Sequence, residues 1–222
     1  MAITIIKNTK SFDKGFILTP ERYNPNRKLK NSNPDDCISL SDIVILVNDI
    51  ISPKQVDKTK NDVIVVNTGD AHEGYIKLSE TKESQWSSNK KIVKPGDVII
   101  SRLRPYLRQI AYVDSEIYSQ DKNSICAVSA EFYVLRGKRN QSIGFLVPLL
   151  LSDSVQLVFA NAVEGSQHPR FKEDALLDIA IPKALFLLAD KLSLSVAENV
   201  SSIRKYEKAM NDNINIVNKY IG

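Results

Sequence analysis

The last part of the chain constrains the fold most, because residues 183–220 contain neither proline nor glycine. Those two residue types most often end a helix. Within this segment Val196, Ile203, Met210 and Val217 recur at a spacing of seven, which is the apolar repeat of a coiled-coil seam. The pattern predicts one long helix, roughly 55 Å in length at about 1.5 Å per residue.

A helix of that length extends beyond a compact domain, so it needs a further surface on which to bury its apolar side chains. We expect it to pack against another long helix, from a second copy of the chain or from a partner protein. Asn199 and Asn213 also fall on the seam, where polar residues specify register and oligomeric state. The alternative is a helix that folds back onto its own domain.

The residues before the helix predict a mixed, β-rich domain of the α/β (α+β) class. Short apolar runs rich in β-branched residues, bounded by turn formers, predict strands. These runs are residues 43–47, 63–66, 97–101, 109–113 and 131–135. Two short helices are expected within residues 142–165, followed by a helical turn at 172–177 and a strand at 178–181 that Pro182 ends.

The expected organisation is one domain followed by one helix. The domain takes residues 1–182 and the spacer or dimerisation helix takes residues 183–222. Turn-forming residues punctuate residues 1–36, which predicts an irregular, basic N-terminal arm with a short strand at 16–18.

The composition is that of an ordinary globular protein, with 43% hydrophobic residues, 25% charged residues and a net charge of +4. No signal peptide and no run of 18 apolar residues is present, so we expect a cytoplasmic protein without a membrane partner. In that compartment Cys37 and Cys126 would be reduced thiols. The mild basic excess permits nucleic-acid binding without requiring it.

No sequence signature of a cofactor or metal site is present. The glycine-rich nucleotide loops and the Asn/Asp-Pro-Pro-aromatic motif of amino methylation are absent. Cys37, His72, Cys126 and His168 are the ligand types of a zinc site, but they lack the paired spacing that such a site uses. We therefore expect neither a cofactor nor a metal in this chain.

Two other function classes remain open. A small Mg²⁺-dependent nuclease would need two carboxylates and a lysine, for which Asp35, Glu80 and Lys82 are the candidates. They lie in polar, turn-like segments rather than on a core hairpin, which disfavours that site. A protein-interaction module acting through the C-terminal helix is the second alternative, and in it the basic surface would be incidental.

The strongest charge signal lies in residues 86–110, where six basic residues face one acid. The six are Lys90, Lys91, Lys94, Arg102, Arg104 and Arg108. The apolar strand at 97–101 would present Arg102, Arg104 and Tyr106 at its end. Arginines there would bind phosphates by charge and guanine by paired hydrogen bonds. The alternative is a solvated turn with ordinary surface arginines.

A second candidate loop opens the segment of residues 164–182. Its polar and basic residues are Ser166, Gln167, His168, Arg170 and Lys172. Gln167 is able to pair with adenine and Arg170 with guanine, while hydroxyl and imidazole groups contact phosphates or base edges. The alternative for His168, which precedes a proline, is a capping or packing residue. A role as catalytic base is disfavoured, because no acid or nucleophile motif accompanies it.

Three segments, taken in order, carry a resemblance to a known family. They are VIVVNTGDAHEGYI (63–76), KPGDVIISRLRPYLRQIAYV (94–113) and GSQHPRFKEDALLDIAIP (165–182). With the long helix that follows, they resemble the target recognition domain and spacer helix of type I restriction-modification specificity subunits. The second segment, with its Gly-Asp, apolar strand, Ser-Arg, turn and strand, is the most distinctive.

Two features depart from the family pattern. The exit proline is followed by Lys183-Ala184-Leu185, where the family usually has a further proline and a Glu-Gln pair. The full subunit of the family also has two recognition domains and two spacer helices, whereas this chain has one of each.

The resemblance implies a non-catalytic protein that recognises half of a bipartite site in double-stranded DNA. The residues of both candidate loops would face DNA, with Lys90, Lys91 and Lys94 as phosphate contacts. The chemistry would belong to partners: an adenine methyltransferase subunit that uses S-adenosylmethionine and, where present, a restriction subunit. Two helices would pair in a dimer, unless the chain is half of a longer protein or of a fused enzyme.

Overall fold

Two four-stranded sheets lie at the centre of the domain in the computed structural model, which describes residues 29, 34–55, 63–77, 86–118, 124–165 and 167–221. The strands in these ranges are β1 (Cys37–Ser39), β2 (Val44–Val47), β3 (Ile50–Ile51), β4 (Val63–Val66), β5 (Lys90–Ile92), β6 (Val98–Ser101), β7 (Ile110–Tyr112), β8 (Ile125–Ser129), β9 (Phe132–Gly137) and β10 (Ala180–Pro182). The helices are α1 (Leu40–Ile43), α2 (Leu146–Leu151), α3 (Asp153–Ala162), α4 (Glu173–Leu177), α5 (Lys183–Phe186) and α6 (Ala189–Ile221). The expected α+β class is confirmed.

Part of the sequence prediction falls elsewhere in the chain. The expected strand at 16–18 and nearly all of the expected arm lie outside the described residues. Within the described ranges, none of the helices is long and apolar enough to cross a membrane.

The first sheet has the strand order β2–β9–β6–β7 and is antiparallel throughout. Strand β6 lies inside it and is buried at all four residues. Its side chains alternate between the two faces: Val98 and Ile100 join the core beneath the helices, and Ile99 joins the core between the sheets. Ser101 pairs with Phe132, so the end of β6 lies beside the start of β9.

The second sheet has the order β3–β5–β8–β4, in which β4 and β8 run parallel. Strand β4 has the bounds that its β-branched sequence predicts. Strands β5 and β8 were not expected. The lysines at the start of β5 give it a polar sequence, and it is a strand because it pairs with β8, with Lys91 opposite Val128. Non-local pairing overrides local propensity here.

Two hydrophobic cores lie on the two faces of the first sheet, so the domain has three layers. The helices cover one face, where Leu146, Phe159 and Leu176 are buried. The second sheet covers the other face, where Val66 and Val128 are buried. The pairing of β1 with β10 closes the domain beside the start of the C-terminal helices.

Helix α6 begins at Ala189, so the prediction of one continuous helix from Lys183 is wrong at its start. The short α5 ends in a turn in which the Leu187 N–H donates to the Lys183 carbonyl at 3.0 Å. This turn redirects the chain between the edge strand β10 and the body of the domain. Helix α6 then continues without a break to Ile221.

The two halves of α6 have different surroundings. Ala189, Ser193 and Val200 are buried against the domain, whereas every residue in the range 208–221 is exposed. The first half of α6 therefore folds back onto the domain, as the alternative expected. The second half extends beyond the domain, as the main expectation had it.

Candidate nucleic-acid interface

Backbone hydrogen bonds join the two candidate loops into one surface. The Arg104 N–H donates to the Pro169 carbonyl at 2.9 Å, and the Phe171 N–H donates to the Arg102 carbonyl at 3.2 Å. The second loop is itself a narrow hairpin closed by two hydrogen bonds between Glu164 and Arg170, of 2.8 and 2.9 Å. The end of β6 and the hairpin are therefore held together as a short β-like ladder.

The Glu131 carboxylate, in the turn between β8 and β9, connects the side chains of the same two loops. Arg170 donates to it twice, from Nη2 to Oε1 at 2.7 Å and from Nε to Oε2 at 3.0 Å. Arg102 donates from Nε to Oε2 at 3.0 Å. The Arg170 hydrogen bonds, together with Arg102, lower the pKa of Glu131 to about 2, although its partial burial acts in the opposite direction.

This three-residue cluster carries a net charge of +1, because one carboxylate faces two guanidinium groups. The Arg170 Nη1 group also donates to the His168 carbonyl at 3.2 Å, which fixes the tip of the hairpin relative to the cluster. Paired hydrogen bonds between a guanidinium and a carboxylate set the plane of the guanidinium. The plane of the Arg170 guanidinium is therefore fixed, and a single hydrogen bond to Glu131 holds Arg102 on the same basic surface.

The lysines of β5 are less exposed than the sequence analysis expects of phosphate contacts. Lys90 is only 7% exposed and its Nζ donates to Asn67 Oδ1 at 3.1 Å, which corrects its expected position at the surface. Lys91 is half-buried, and its Nζ donates to the Phe132 carbonyl at 2.9 Å. Burial, followed by the charge of Arg102, lowers the pKa of Lys91.

The loop between β6 and β7 forms a rigid tip. A 3-10 turn of Pro105–Leu107 lies between Arg104 and Arg108, which have φ angles of +48° and +50°. Positive φ is uncommon for residues other than glycine and occurs where the surrounding contacts enforce it. Arg108 pairs with Asp153 of α3 at 3.1 Å, whereas Tyr106 at the tip is 67% exposed.

The remaining predicted contacts surround these loops. Gln167 and His168 are exposed at the hairpin tip, and Lys94 is exposed in the turn before β6. Lys172 pairs with Glu164 at 2.8 Å across the hairpin. Ser166 lies outside the described residues.

Sequence reasoning missed Glu131, which belongs to none of the motifs considered. It follows the strand β8 and has no acidic neighbour within the turn. A weak signal was available, since an isolated acid between two apolar strands in a basic region is a natural partner for arginine. Its two partners lie 29 and 39 positions away, and only the fold brings them together.

The residues considered for metal or nuclease chemistry are not brought together in the part of the chain that the structure describes. Within those ranges no three His, Cys, Asp or Glu side chains are placed to hold a metal ion. Burial raises the pKa of the Cys126 thiol to about 12. Asp35 lies in the 3-10 turn before β1, and its proposed nuclease partners Glu80 and Lys82 lie outside the described residues.

Comparison with known proteins finds similarity at the level of structure. No protein-family model matches the sequence, and no curated protein matches it. The fold is similar to a chain from a structure on complex assembly and conformational transition of the type I R-M system, with 22% sequence identity, 82% of this chain and 46% of that chain covered, and a TM-score of 0.51. It is also similar to the HsdS subunit from Thermoanaerobacter tengcongensis, with 20% identity, the same coverage of 82% and 46%, and a TM-score of 0.49.

The first of these likenesses establishes the fold. The chain has the fold of that chain from a type I R-M system, and its β-rich part is followed by one long helix. The resemblance seen in the sequence is thus confirmed for the fold. The chain spans about half the length of the solved chains that it matches, at 46% of each.

Proposed function

We propose that this chain is a non-catalytic DNA-recognition subunit, or half-subunit, of a type I restriction-modification complex. The observation that carries the proposal is the joining of two basic loops through Glu131, which orients Arg102 and Arg170 on one surface. A pre-positioned pair of guanidinium groups suits the binding of phosphates and guanine edges. The fold likeness supports the same role, because the similar chains belong to type I systems.

The proposed partners supply the chemistry. An adenine methyltransferase subunit would bind S-adenosylmethionine and act on the half-site that this domain recognises. A restriction subunit is a further partner in complexes that cleave DNA. The exposed end of α6 would pair with a second helix and so join two half-sites into one bipartite target.

The test compares variants of base-reading and phosphate-binding candidates in the complex with the methyltransferase. Arg104→Ala or Gln167→Ala should change the order of preference among related DNA sequences, because these side chains would read base edges. Lys94→Ala should weaken binding to all sequences alike and reduce the dependence of affinity on salt by about one phosphate contact.

Binding is measured at several salt concentrations on the target obtained by mapping methylated adenines in the host genome. A complex that binds this target no better than a scrambled duplex contradicts the proposal. Cleavage of DNA by the purified chain with Mg²⁺ would instead indicate the nuclease alternative. Salt-independent association with the partner and no affinity for DNA would indicate a protein-interaction module.

A further inference from the structure

The loop between β6 and β7 presents two apolar side chains to solvent from a rigid support. Tyr106 is 67% exposed and Leu107 is 48% exposed, although both belong to a hydrogen-bonded 3-10 turn. Pro105, the first residue of the turn, is buried and so anchors the turn to the domain. Two exposed apolar side chains that adjoin on a fixed turn form a small surface that is able to contact a partner.

Several contacts hold this tip in place. The Leu107 N–H donates to the Arg104 carbonyl and the Arg108 N–H to the Pro105 carbonyl, each at 2.9 Å. Arg104 is also bonded through its N–H to Pro169 of the neighbouring hairpin. The two residues of positive φ that flank the turn carry backbone strain that the surrounding contacts must offset. The tip is therefore pre-organised, and little conformational entropy is lost when it inserts into a partner.

The charge around the tip indicates what kind of partner it meets. Arg102 and Arg170 lie on the same joined surface, and their cluster with Glu131 has a net charge of +1, while Arg108 beside the tip is paired with Asp153. An apolar protein surface would not need a rim of this sign, whereas DNA offers phosphates for the rim and stacked bases for the apolar tip. Apolar side chains that insert between bases are a known means of unstacking and kinking a duplex.

We propose that Tyr106 and Leu107 form a wedge that inserts at a base step of the DNA target and unstacks it. This inference rests on the proposed function, since it assigns a mode of DNA binding to the same surface. A methyltransferase must take its target base out of the stack, so a wedge on the recognition subunit would lower the cost of that step. The aromatic ring of Tyr106 supplies the stacking surface and Leu107 fills the gap beside it.

The test uses the complex of this chain with its methyltransferase and two kinds of duplex, both containing the target found by mapping methylated adenines. The first kind is fully paired. The second kind is a series in which each duplex carries one abasic site, at successive positions, so that the stacking at that position is removed in advance. Tyr106→Ala should weaken binding to the paired duplex on the order of tenfold. At one abasic position the loss should shrink to less than about twofold, because no unstacking remains to be done there.

Two variants serve as controls. Ile45→Ala changes an isoleucine on β2 that is as exposed as Leu107, at 48%. It should leave the affinity for the paired duplex and for the abasic duplexes unchanged. Tyr106→Trp keeps a stacking ring and should bind the paired duplex as the wild type does. Loss of the same size on paired and abasic duplexes, or no loss, overturns the wedge.

Two further outcomes separate the possible failures. If Tyr106→Ala weakens association with the methyltransferase in the absence of DNA, the tip is a protein contact and the wedge is wrong. If the wild-type complex does not prefer its target to a scrambled duplex, the proposed function itself fails. If the wild type prefers its target and Tyr106→Ala binds equally well, only the wedge fails.

Discussion

The Arg204 Nη2 atom lies 2.9 Å from Asp114 Oδ2, at the point where α6 leaves the domain. The two side chains are only 10% and 8% exposed. Arg204 also contacts Glu207 one turn further along α6 at 3.3 Å, and its guanidinium lies 5.9 Å from the centre of the Tyr75 ring. After Glu207 every residue of α6 is exposed, so this cluster sets the direction in which the helix extends.

Removal of Arg204 should loosen α6 from the domain. Arg204→Met leaves the buried Asp114 carboxylate without its partner, and a loss of this kind costs about 3 kcal/mol. Chemical denaturation of the full chain measures the change in unfolding free energy. Lys205→Met changes the exposed neighbouring residue and should alter that free energy by less than about 0.5 kcal/mol. Equal stability of the two variants would show that the pair does not anchor the helix.

The link between the two candidate loops should depend on pH through Glu131. Its folded-state pKa of about 2 lies below its ordinary value of 4.5, so the folded state favours the ionised carboxylate. The resulting stability is complete above a pH of about 4.5 and is lost as the pH falls toward 2.

Glu131→Gln should therefore lower the unfolding free energy by about 1 to 2 kcal/mol at neutral pH, with allowance for solvent screening. The difference from the wild type should narrow as the pH falls from about 4.5 toward 2. Glu198→Gln, on the exposed face of α6, is the matched control and should show no such difference. A gap that stays constant down to pH 2 would argue against the ionised cluster.

The close approach of α6 to the domain should make Gly144 intolerant of a side chain. A Cβ at this position would lie 3.1 Å from both the Cα and the carbonyl oxygen of Ser193, and the adjacent Phe145 N–H donates to Ser193 Oγ at 2.9 Å. Gly144→Ala should therefore destabilise the chain by roughly 1 to 3 kcal/mol. Gly69→Ala meets nothing within 4 Å and should leave the thermal midpoint nearly unchanged; an equal shift in both variants would refute the packing argument.

The exposed end of α6 should mediate self-association. Met210, Ile214 and Val217 are each about half exposed and recur at spacings of three and four, which places them on one face. Val217→Asp would put a charge on that face and should increase the dimer dissociation constant by at least about tenfold. Sedimentation across a range of concentrations measures it. Asn215→Asp adds the same charge on the opposite face and should dimerise as the wild type does; a wild type that is monomeric throughout contradicts self-association.

Earlier in the helix the seam has another role. Val196 packs against the core beneath the helices, and Ile203 is partly buried. The heptad spacing is the same in the half of α6 that packs on the domain and in the half that is exposed. A pattern of apolar residues specifies a face of the helix, but it does not specify which surface covers that face. Dimerisation through all four predicted residues remains a prediction, and the structure leaves Met210 and Val217 as its most accessible members.

Local pattern alone was sufficient for the elements whose own residues carry a clear apolar pattern. The long helix, the strand β4 and the two short helices α2 and α3 were expected near their observed positions, because apolar periodicity and turn formers act over a few residues. The strand β5 was not expected, because its lysines give it a polar sequence. It forms through pairing with β8, which lies more than thirty positions away in the sequence.

The amino-acid sequence by itself determined the long last helix with its apolar seam, several of the strands and the two basic loops. Only the tertiary structure decided that the loops form one surface, that Lys90 is buried, and that Asp114 holds the helix where it leaves the domain. The physical reason is that a hydrogen bond or an ion pair depends on distance in space. Glu131 and Arg170 lie 39 positions apart in the chain and 2.7 Å apart in the fold.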